Sequence, residues 1–355
     1  MYNKISSISF LVCFIYAHMK TNHRVHLLIQ NNYIIISIII YKMETKKEIK
    51  LNQLISLCIH MFKKSQLVFE KVIKKEHTPQ IHYKHEHTDR FTDCDWVIQK
   101  MFELYFAKYF PTIRLIGEED TSIEVMKDHE IFKLDEVNLE LIKEEEIPEQ
   151  FRTVNTDDMF ALLDPIDATE RFIQSDYCPV TSLIAFCLKG KPFLGFIYYP
   201  YENLKSQVTY FNIPTKGLFQ YRDEKVSKVD VLIRKDEEYT FILSKRKPME
   251  SAIKIFSNFP GYTIVNDHGV GHKSLIGVVN DYLFLFPSKG SAIWDICAGH
   301  CIAKEYGGGY YTTKGEEYPY DPEHPYLADC CFFTPNPRKA KRFAEVFNTC
   351  GVKFP

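Results

Sequence analysis

The sequence predicts an α/β fold, because short apolar runs typical of buried strands alternate with longer amphipathic segments typical of helices. Met159 to Leu163 and Ile113 to Ile116 are two such runs, and acidic residues follow each of them. Leu51 to Ile73 places its apolar residues at helical spacing. With 355 residues, 45% of them hydrophobic and 25% charged, the chain is long and apolar enough to bury a full core.

The charge balance and the cysteines exclude several classes of protein. A formal net charge of -2 argues against a general nucleic-acid surface. The ten cysteines are irregularly spaced and form no CxxC pair, which fits reduced thiols better than a disulfide framework or a zinc site. We therefore expect a cytoplasmic protein that does not bind nucleic acid, and the sequence leaves its oligomeric state open.

Residues 1–42 differ from the rest of the chain. Ile8 to Ala17 and Tyr33 to Tyr41 are apolar, but each is shorter than the roughly 20 residues that span a bilayer as a helix. An over-extended reading frame, a targeting segment and a membrane contact all fit this pattern, and we favour the first. We expect the folded protein to begin near Met43 and to need no membrane contact.

One six-residue turn carries the strongest chemical signal: Asp164-Pro165-Ile166-Asp167-Ala168-Thr169. The proline fixes the turn, so the two carboxylates can converge with the isoleucine carbonyl between them. Such hard oxygen ligands suit Mg²⁺. The amides of Ala168 and Thr169 are predicted to open a helix, whose N-terminus attracts phosphate. The alternative is that both aspartates only cap a helix behind a proline turn.

Three further acidic motifs accompany this turn. They are Thr92-Asp93-Cys94-Asp95 before the helical pattern of Val97 to Phe110, Gly117-Glu118-Glu119-Asp120 after an apolar run, and Trp294-Asp295 at the start of a second helical pattern. In this order, the four motifs resemble the metal-binding signature of the lithium-sensitive, Mg²⁺-dependent phosphomonoesterases related to inositol monophosphatase. The resemblance extends over roughly residues 50 to 345.

The resemblance implies a fold. It is a layered α/β/α/β/α sandwich of the inositol monophosphatase and fructose-1,6-bisphosphatase type. The half from residue 43 to 215 would then supply most metal ligands. The half from residue 216 to 355 would supply Asp295 and the loops that select the substrate.

The resemblance also implies two or three Mg²⁺ ions. The implied ligands are Glu118, Asp164, the Ile166 carbonyl, Asp167 and Asp295, with Asp95 and Glu119 supporting a further ion or its waters. Thr169, polarised by Asp95, would orient or deprotonate the attacking water. Ala168 is a departure, because relatives carry glycine or serine there.

Two basic or glycine-rich segments are candidates for substrate binding. Lys245 and Arg246 lie in the cluster Ser244 to Lys247, which suits a second substrate phosphate or, equally, a solvated loop. Gly269, Gly271 and Lys273 form a G-x-G-x-K pattern before the helical segment Ser274 to Val279. This pattern resembles the loop with which family members approach their substrate, although it is weak evidence alone.

The implied activity is that of a 3'(2'),5'-bisphosphate nucleotidase, which converts adenosine 3',5'-bisphosphate to AMP and phosphate by attack of a metal-activated water. A strand pair over Val180 to Tyr201, turning at Lys189 to Lys191, resembles that branch of the family. The alternative is an inositol polyphosphate 1-phosphatase, favoured by Lys273 to Leu275 and by Cys297 to His300. A catalytically silent phosphate-binding regulator is a third, opposed by the intact acids.

Four histidines lie between the first helix and the second: His77, His82, His85 and His87. Their spacing fits no standard ligand pattern, and the stretch has little apolar support. We therefore interpret this segment as a solvated loop.

Overall fold

The computed structural model describes residues 26–30, 33–37, 47–84, 90–120, 130–202, 206–232, 237–244, 249–288, 290–352 and 354. The chain divides into two units, residues 1–47 and 48–355. In the first unit, β1 (His26–Gln30) pairs antiparallel with β2 (Tyr33–Ser37). The apolar run Ile8 to Ala17 lies outside the described residues. The predicted boundary between residues 215 and 216 stays a prediction.

The second unit mixes strands and helices along its whole length. Its strands, in chain order, are β3 (Glu48–Lys50), β4 (Ile81–Tyr83), β5 (Arg90–Thr92), β6 (Arg114–Gly117), β7 (Thr153–Asn155), β8 (Met159–Asp167), β9 (Thr181–Leu188), β10 (Lys191–Glu202), β11 (Ser206–Ile213), β12 (Gly217–Arg222), β13 (Lys225–Lys228), β14 (Thr240–Leu243), β15 (Thr263–Asn266), β16 (Phe284–Phe286), β17 (Gly309–Thr312) and β18 (Cys331–Thr334). Its α-helices are α1 (Leu51–Ile73), α2 (Asp93–Tyr109), α3 (Thr169–Ile173), α4 (Met249–Phe256), α5 (Val270–Asn280), α6 (Ile293–Lys304) and α7 (Pro337–Thr349). Short 3₁₀ helices lie at Glu130–Phe132, Glu144–Glu146, Glu149–Phe151 and Thr156–Asp158.

The largest sheet in the described part of the chain has seven strands, in the order β13-β12-β11-β10-β9-β8-β6. β6 and β8 pair in parallel, and the other neighbours in this sheet pair antiparallel. The predicted hairpin is confirmed as β9 and β10. Lys189 and Gly190 join them with φ of 54° and 71°, the left-handed backbone that a tight two-residue hairpin turn requires.

Both faces of this sheet are covered, as the alternation along β8 shows. Ala161 and Leu163 pack into a core that also contains the apolar faces of α1 and α2. Phe160 and Leu162 point to the opposite face, into a core built with α5 and α6. A strand buried on both faces appears in the sequence as a continuous apolar run, which is the pattern that predicted this strand.

Two smaller sheets lie beyond α5 and α6. β14 pairs in parallel with β15, and β18 lies between β16 and β17. Phe284 and Phe333 face the core that contains α6, whereas the adjacent Leu285 and Phe332 face a third core with α4 and α7. The order of layers is therefore helix, sheet, helix, sheet, helix, and the predicted α/β/α/β/α sandwich is confirmed.

Two helices begin earlier than their apolar patterns predicted. α2 begins at Asp93 instead of Val97, because the backbone N–H and the hydroxyl of Thr92 both donate to Asp95 Oδ2, at 2.8 and 2.6 Å. α5 begins at Val270 instead of Ser274. None of the helices in the described part of the chain is long and apolar enough to cross a bilayer.

Candidate active site

Three carboxylates from distant parts of the chain meet at one edge of the large sheet. Glu118 follows β6, Asp164 lies within β8, and Asp295 lies in the first turn of α6. One carboxylate oxygen from each lies within 4.8 Å of the other two. All three belong to the predicted ligand set, and the structure brings them together.

Backbone geometry holds these acids in place. β6 and β8 run parallel, with Gly117 opposite Leu163. The residues that follow these two, Glu118 and Asp164, therefore lie side by side at the same edge of the sheet. The Glu118 N–H donates to the Leu163 carbonyl at 3.0 Å. Asp295 caps its own helix, since its Oδ2 accepts from the Ala292 N–H at 2.8 Å.

The electrostatics of the cluster fit a divalent cation. Burial, reinforced by the charge of Glu118, raises the pKa of both Asp164 and Asp295 well above the usual range. Asp164 is only 2% exposed, and its Oδ1 is buried without a hydrogen-bond partner. Mg²⁺ is a hard cation that prefers carboxylate oxygens as ligands. A bound ion would also give the buried Asp164 oxygen the partner that it lacks.

Lys84, in the loop after β4, is the cation beside this cluster. Its Nζ lies 2.5 Å from Glu118 Oε1 and 2.8 Å from Glu119 Oε1. Burial lowers the pKa of Lys84, but the two glutamates outweigh this effect and raise it. Burial, followed by the charges of Asp95 and Glu118, raises the pKa of Glu119 to about 8. A divalent ion at Glu118 would compete with this ammonium group.

Asp167 has different partners from Asp164, although both lie on β8. Its Oδ1 accepts from the Val270 N–H at 3.1 Å, and its Oδ2 accepts from the Gly271 N–H and the Thr181 hydroxyl, both at 2.8 Å. The three-oxygen group of the cluster does not include it. In this structure Asp167 anchors the start of α5, and its role as a ligand stays a prediction.

The turn after Asp167 has an unusual backbone. Ala168 has φ 67° and ψ 42°, a left-handed conformation, and α3 begins at the next residue as predicted. The hydroxyl of Thr169 donates to the Ile166 carbonyl at 2.8 Å. That carbonyl therefore has one accepting lone pair in use and a second for another partner.

Asp95 is not hydrogen-bonded to Thr169 in the described part of the chain, so the predicted pairing of the two is not observed. Asp95 instead accepts hydrogen bonds from the backbone N–H and the hydroxyl of Thr92, whereas the Thr169 hydroxyl donates to the Ile166 carbonyl. The reason is local: Asp95 is the third residue of α2, and its carboxylate caps the helix by accepting from Thr92, the residue before the helix. Burial raises the pKa of Asp95 to about 7.

A cavity of about 360 Å³ opens beside the carboxylates. Both acidic and basic side chains line it. The acids are Glu118, Asp164, Asp167, Glu170 and Asp295, and the basic residues are Arg90, Arg171, His268 and Lys273. A phosphate ester could therefore contact an ion held by the acids and the basic side chains at the same time.

The predicted glycine-rich loop is largely helix. Gly269, with φ 69°, precedes α5, while Gly271 and Lys273 lie inside its first turns. A Cβ on Gly271 would approach Thr181 Oγ1 to 2.6 Å, so the glycine permits the close approach of α5 to β9. Lys273 Nζ donates to Ser244 Oγ at 2.9 Å and lies 4.8 Å from the centre of the Phe284 ring.

Several site residues differ from those predicted. Lys245 and Arg246 lie outside the described residues. Arg171 and His268 line the cavity, and an Arg171 nitrogen lies 2.9 Å from His268 Nε2. Neither belongs to the predicted set. Arg171 could have been predicted, because it comes only two residues after the six-residue turn. Lys84 was missed because it lies in the segment interpreted as a solvated loop.

Comparison with protein families decides the class. The model of the inositol monophosphatase family matches residues 51–350, which is most of the chain and includes the three carboxylates of the cluster. The chain belongs to the inositol monophosphatase family.

Individual members of this family resemble the chain at moderate identity. It is 28% identical over 296 residues to 3'(2'),5'-bisphosphate nucleotidase 1 of Dictyostelium discoideum, a match that covers 78% of this chain and 91% of that protein. It is 26% identical over 237 residues to putative inositol monophosphatase 3 of Drosophila melanogaster, covering 66% of this chain and 63% of the relative.

Solved structures of inositol monophosphatases share the fold. A staphylococcal inositol monophosphatase complexed with products superposes with a TM-score of 0.61 at 17% identity, covering 86% of this chain and 100% of the other. An inositol monophosphatase/NADP phosphatase complexed with Mg²⁺ and phosphate gives 0.60 at 18% identity, covering 86% and 99%.

As a member of this family, the chain is a phosphoric monoester hydrolase. Of the solved neighbours, one is complexed with Mg²⁺ and phosphate and another is bound with D-inositol-1-phosphate. The three-acid cluster agrees with this class, because hydrolysis of an anionic ester by water needs concentrated positive charge at the reacting phosphate. Family membership leaves open which ester is the substrate and how many ions bind.

Proposed function

We propose that this chain is a Mg²⁺-dependent 3'(2'),5'-bisphosphate nucleotidase that releases the 3'-phosphate of adenosine 3',5'-bisphosphate to give AMP. The observation that carries the proposal is the lining of one cavity by both the carboxylate cluster and basic side chains. A bisphosphate uses both kinds of group: one phosphate at the metal and a second paired with cations. The name of the Dictyostelium relative supports this substrate class.

In this proposal Glu118, Asp164 and Asp295 hold Mg²⁺. Asp167 and the Ile166 carbonyl complete the ligand set, and Asp95 and Glu119 support a further ion or its waters. Bound Mg²⁺ neutralises charge on the phosphate and lowers the pKa of a water molecule.

The chain's own groups position the reactants. Thr169 lies at the start of α3, where its hydroxyl can exchange the Ile166 carbonyl for the attacking water. The amides of Ala168 and Thr169, at the start of α3, would bind the reacting phosphate in this proposal. Asp95 lies at the first turn of α2 and, with its pKa near 7, can accept a proton near neutral pH.

Arg171 is the described cation best suited to the second phosphate. Arg90 is already paired with Glu170, and Lys273 is buried on Ser244 and an aromatic ring. Arg171 contacts His268 and, at 3.5 Å, Asp176 at the rim. Its guanidinium can therefore turn toward an incoming phosphate and bind it through two N–H groups. Lys245 and Arg246 remain predicted partners of the same group.

A substrate panel with Arg171→Met tests the proposal. We expect adenosine 3',5'-bisphosphate to exceed inositol 1,4-bisphosphate in kcat/KM by at least about tenfold, which needs only about 1.4 kcal/mol of differential binding. Losing one charge-assisted contact should lower kcat/KM for the nucleotide bisphosphate roughly tenfold to hundredfold and leave 3'-AMP hydrolysis nearly unchanged. Arg114→Met, which removes an exposed arginine paired with Glu323, is the matched control and should change neither.

The other outcomes are equally informative. A reversed preference would assign the chain to the inositol polyphosphate 1-phosphatases and leave the metal chemistry in place. Absence of phosphate release from every ester with Mg²⁺ present would favour the catalytically silent regulator. An equal loss with 3'-AMP would show that Arg171 contacts the reacting phosphate instead of the second one.

A further inference from the structure

A second cavity, separate from the carboxylate cluster, lies where the end of α1 meets the start of α2. Its volume is about 300 Å³. It is lined by Val68, Lys71, Glu76, His77, Asp93, Cys94 and Val97. The lining combines apolar side chains of both helices with three groups of the kind that bind metals.

These three groups are close enough to share one ion. A ring nitrogen of His77, a carboxylate oxygen of Asp93 and the Sγ of Cys94 all lie within 4.8 Å of one another. Zinc bonds of about 2.0 to 2.3 Å place tetrahedral ligand atoms roughly 3.3 to 3.8 Å apart. Side-chain shifts of about 1 Å would therefore close the group around an ion.

The surroundings hold the carboxylate and thiol in place. Asp93 is 5% exposed and Cys94 is 1% exposed, both in the first turn of α2. Asp93 Oδ1 accepts from the Gln80 N–H at 2.8 Å, and its Oδ2 lies 2.7 Å from His77 Nε2. His77 is about one third exposed, so an ion can reach the group from solvent without opening the core.

We propose that His77, Asp93 and Cys94 form a Zn²⁺ site. Imidazole and thiolate are softer ligands than carboxylate, and their combination selects zinc over magnesium. The carboxylate cluster, by contrast, offers only oxygen. Exposed Glu76, which lines the same cavity, or a water supplies the fourth ligand.

Binding exchanges protons in a defined way. The Cys94 thiol releases its proton to solvent as the Zn–S bond forms, and a ring nitrogen of His77 exchanges its contact with Asp93 for a bond to zinc. The ion then ties the segment after α1 to the first turn of α2. That turn also carries Asp95, so zinc would stiffen a segment next to the active site.

Titration of the purified full-length chain with Co²⁺, a spectroscopic substitute for Zn²⁺, tests the site. We expect about one equivalent to produce a thiolate-to-cobalt charge-transfer absorption, which the sulfur-free carboxylate cluster cannot give. Cys94→Ser and His77→Ala should abolish or strongly weaken it. Glu118→Gln, which damages the carboxylate cluster, and Cys178→Ser, which removes an exposed cysteine outside this cavity, should retain it.

Thermal unfolding supplies a second readout, because His77→Ala leaves the buried Cys94 in place. One equivalent of Zn²⁺ should displace cobalt and raise the Tm of the wild type but not that of His77→Ala. Absence of the absorption in the wild type, or its persistence in Cys94→Ser, would overturn the proposal. An equal rise of Tm in His77→Ala would do the same.

Discussion

Ala168 carries backbone strain beside the reacting groups. Its φ of 67° is a conformation that costs an L-residue roughly 1 to 2 kcal/mol, and glycine adopts it freely. Its carbonyl nevertheless accepts from the N–H groups of Arg171 and Phe172, at 2.8 and 3.1 Å, so the turn is held in place. The resemblance to the family identified this residue as a departure, but only the backbone angle shows what the departure costs.

Ala168→Gly should stabilise the protein. We expect the free energy of unfolding to rise by up to about 1 kcal/mol, since relief of the left-handed strain exceeds the added flexibility of the unfolded chain. Ala298→Gly, in the interior of α6, should lower it by about 1 kcal/mol or more. Denaturant unfolding of both variants measures this, and a loss of stability in Ala168→Gly comparable to that of Ala298→Gly would refute the strain argument.

His77 shows which residue roles the sequence could not reveal. Its histidine-rich surroundings suggested a solvated loop, yet its ring contacts buried Asp93. That partner lies on a different element, so no local spacing rule reports the contact. The four acidic motifs were predictable because each combines residue type, order and position at a strand end or helix start.

At the scale of elements, β8 delivers two aspartates with opposite tasks. Asp164 faces two other acids, whereas Asp167 receives three hydrogen-bond donors from β9 and α5. The register of β8 against β9 shifts between Asp164 and Asp167, which redirects the second carboxylate. The glycine pattern therefore mispredicted the start of α5. The first turn of this helix is held by a hydrogen bond from the Gly271 N–H to Asp167, which lies 104 residues earlier in the chain.

Asparagine substitutions should separate these tasks in metal-free protein. Asp164→Asn should raise the Tm in the presence of EDTA, because it removes a buried charge beside Glu118 and Asp295. Asp167→Asn should lower the free energy of unfolding by about 1 to 3 kcal/mol, because an amide N–H₂ replaces an oxygen that accepts backbone N–H bonds. If both variants shifted the Tm in the same direction, the anchoring role of Asp167 would be wrong.

At the scale of the whole molecule, the alternation of apolar runs and amphipathic segments was enough to predict an α/β class, and the resemblance supplied the five layers. The hairpin of β9 and β10 followed from local turn chemistry. The meeting of Glu118, Asp164 and Asp295 depends on the parallel pairing of β6 with β8 and on the packing of α6. Such distant contacts are absent from any single stretch of sequence, so their burial and mutual repulsion became visible only in the fold.

Burial of acidic side chains at the site makes the stability of the metal-free protein dependent on pH. Burial raises the pKa of Asp95 to about 7 and that of Glu119 to about 8, both above their values in an unfolded chain. The native state then binds more protons, so stability is greatest below about pH 4 for these groups and is lost as pH rises to about 8. In EDTA, the Tm should fall between about pH 5 and pH 8. Mg²⁺ should reverse much of the fall, because it binds the ionised carboxylates. A Tm that rose with pH in EDTA would contradict this account.

We propose that Glu118, Asp164 and Asp295 together hold the metal that activates the reaction. The Mg²⁺ dependence of phosphate release from adenosine 3',5'-bisphosphate, measured for the wild type and for Asp164→Asn, tests this most directly. Wild-type activity should disappear in EDTA and saturate with Mg²⁺. Asp164→Asn should lose roughly a hundredfold or more in kcat/KM, since the metal contributes several kcal/mol to the transition state. Near-normal turnover by Asp164→Asn at low Mg²⁺ would contradict the assignment.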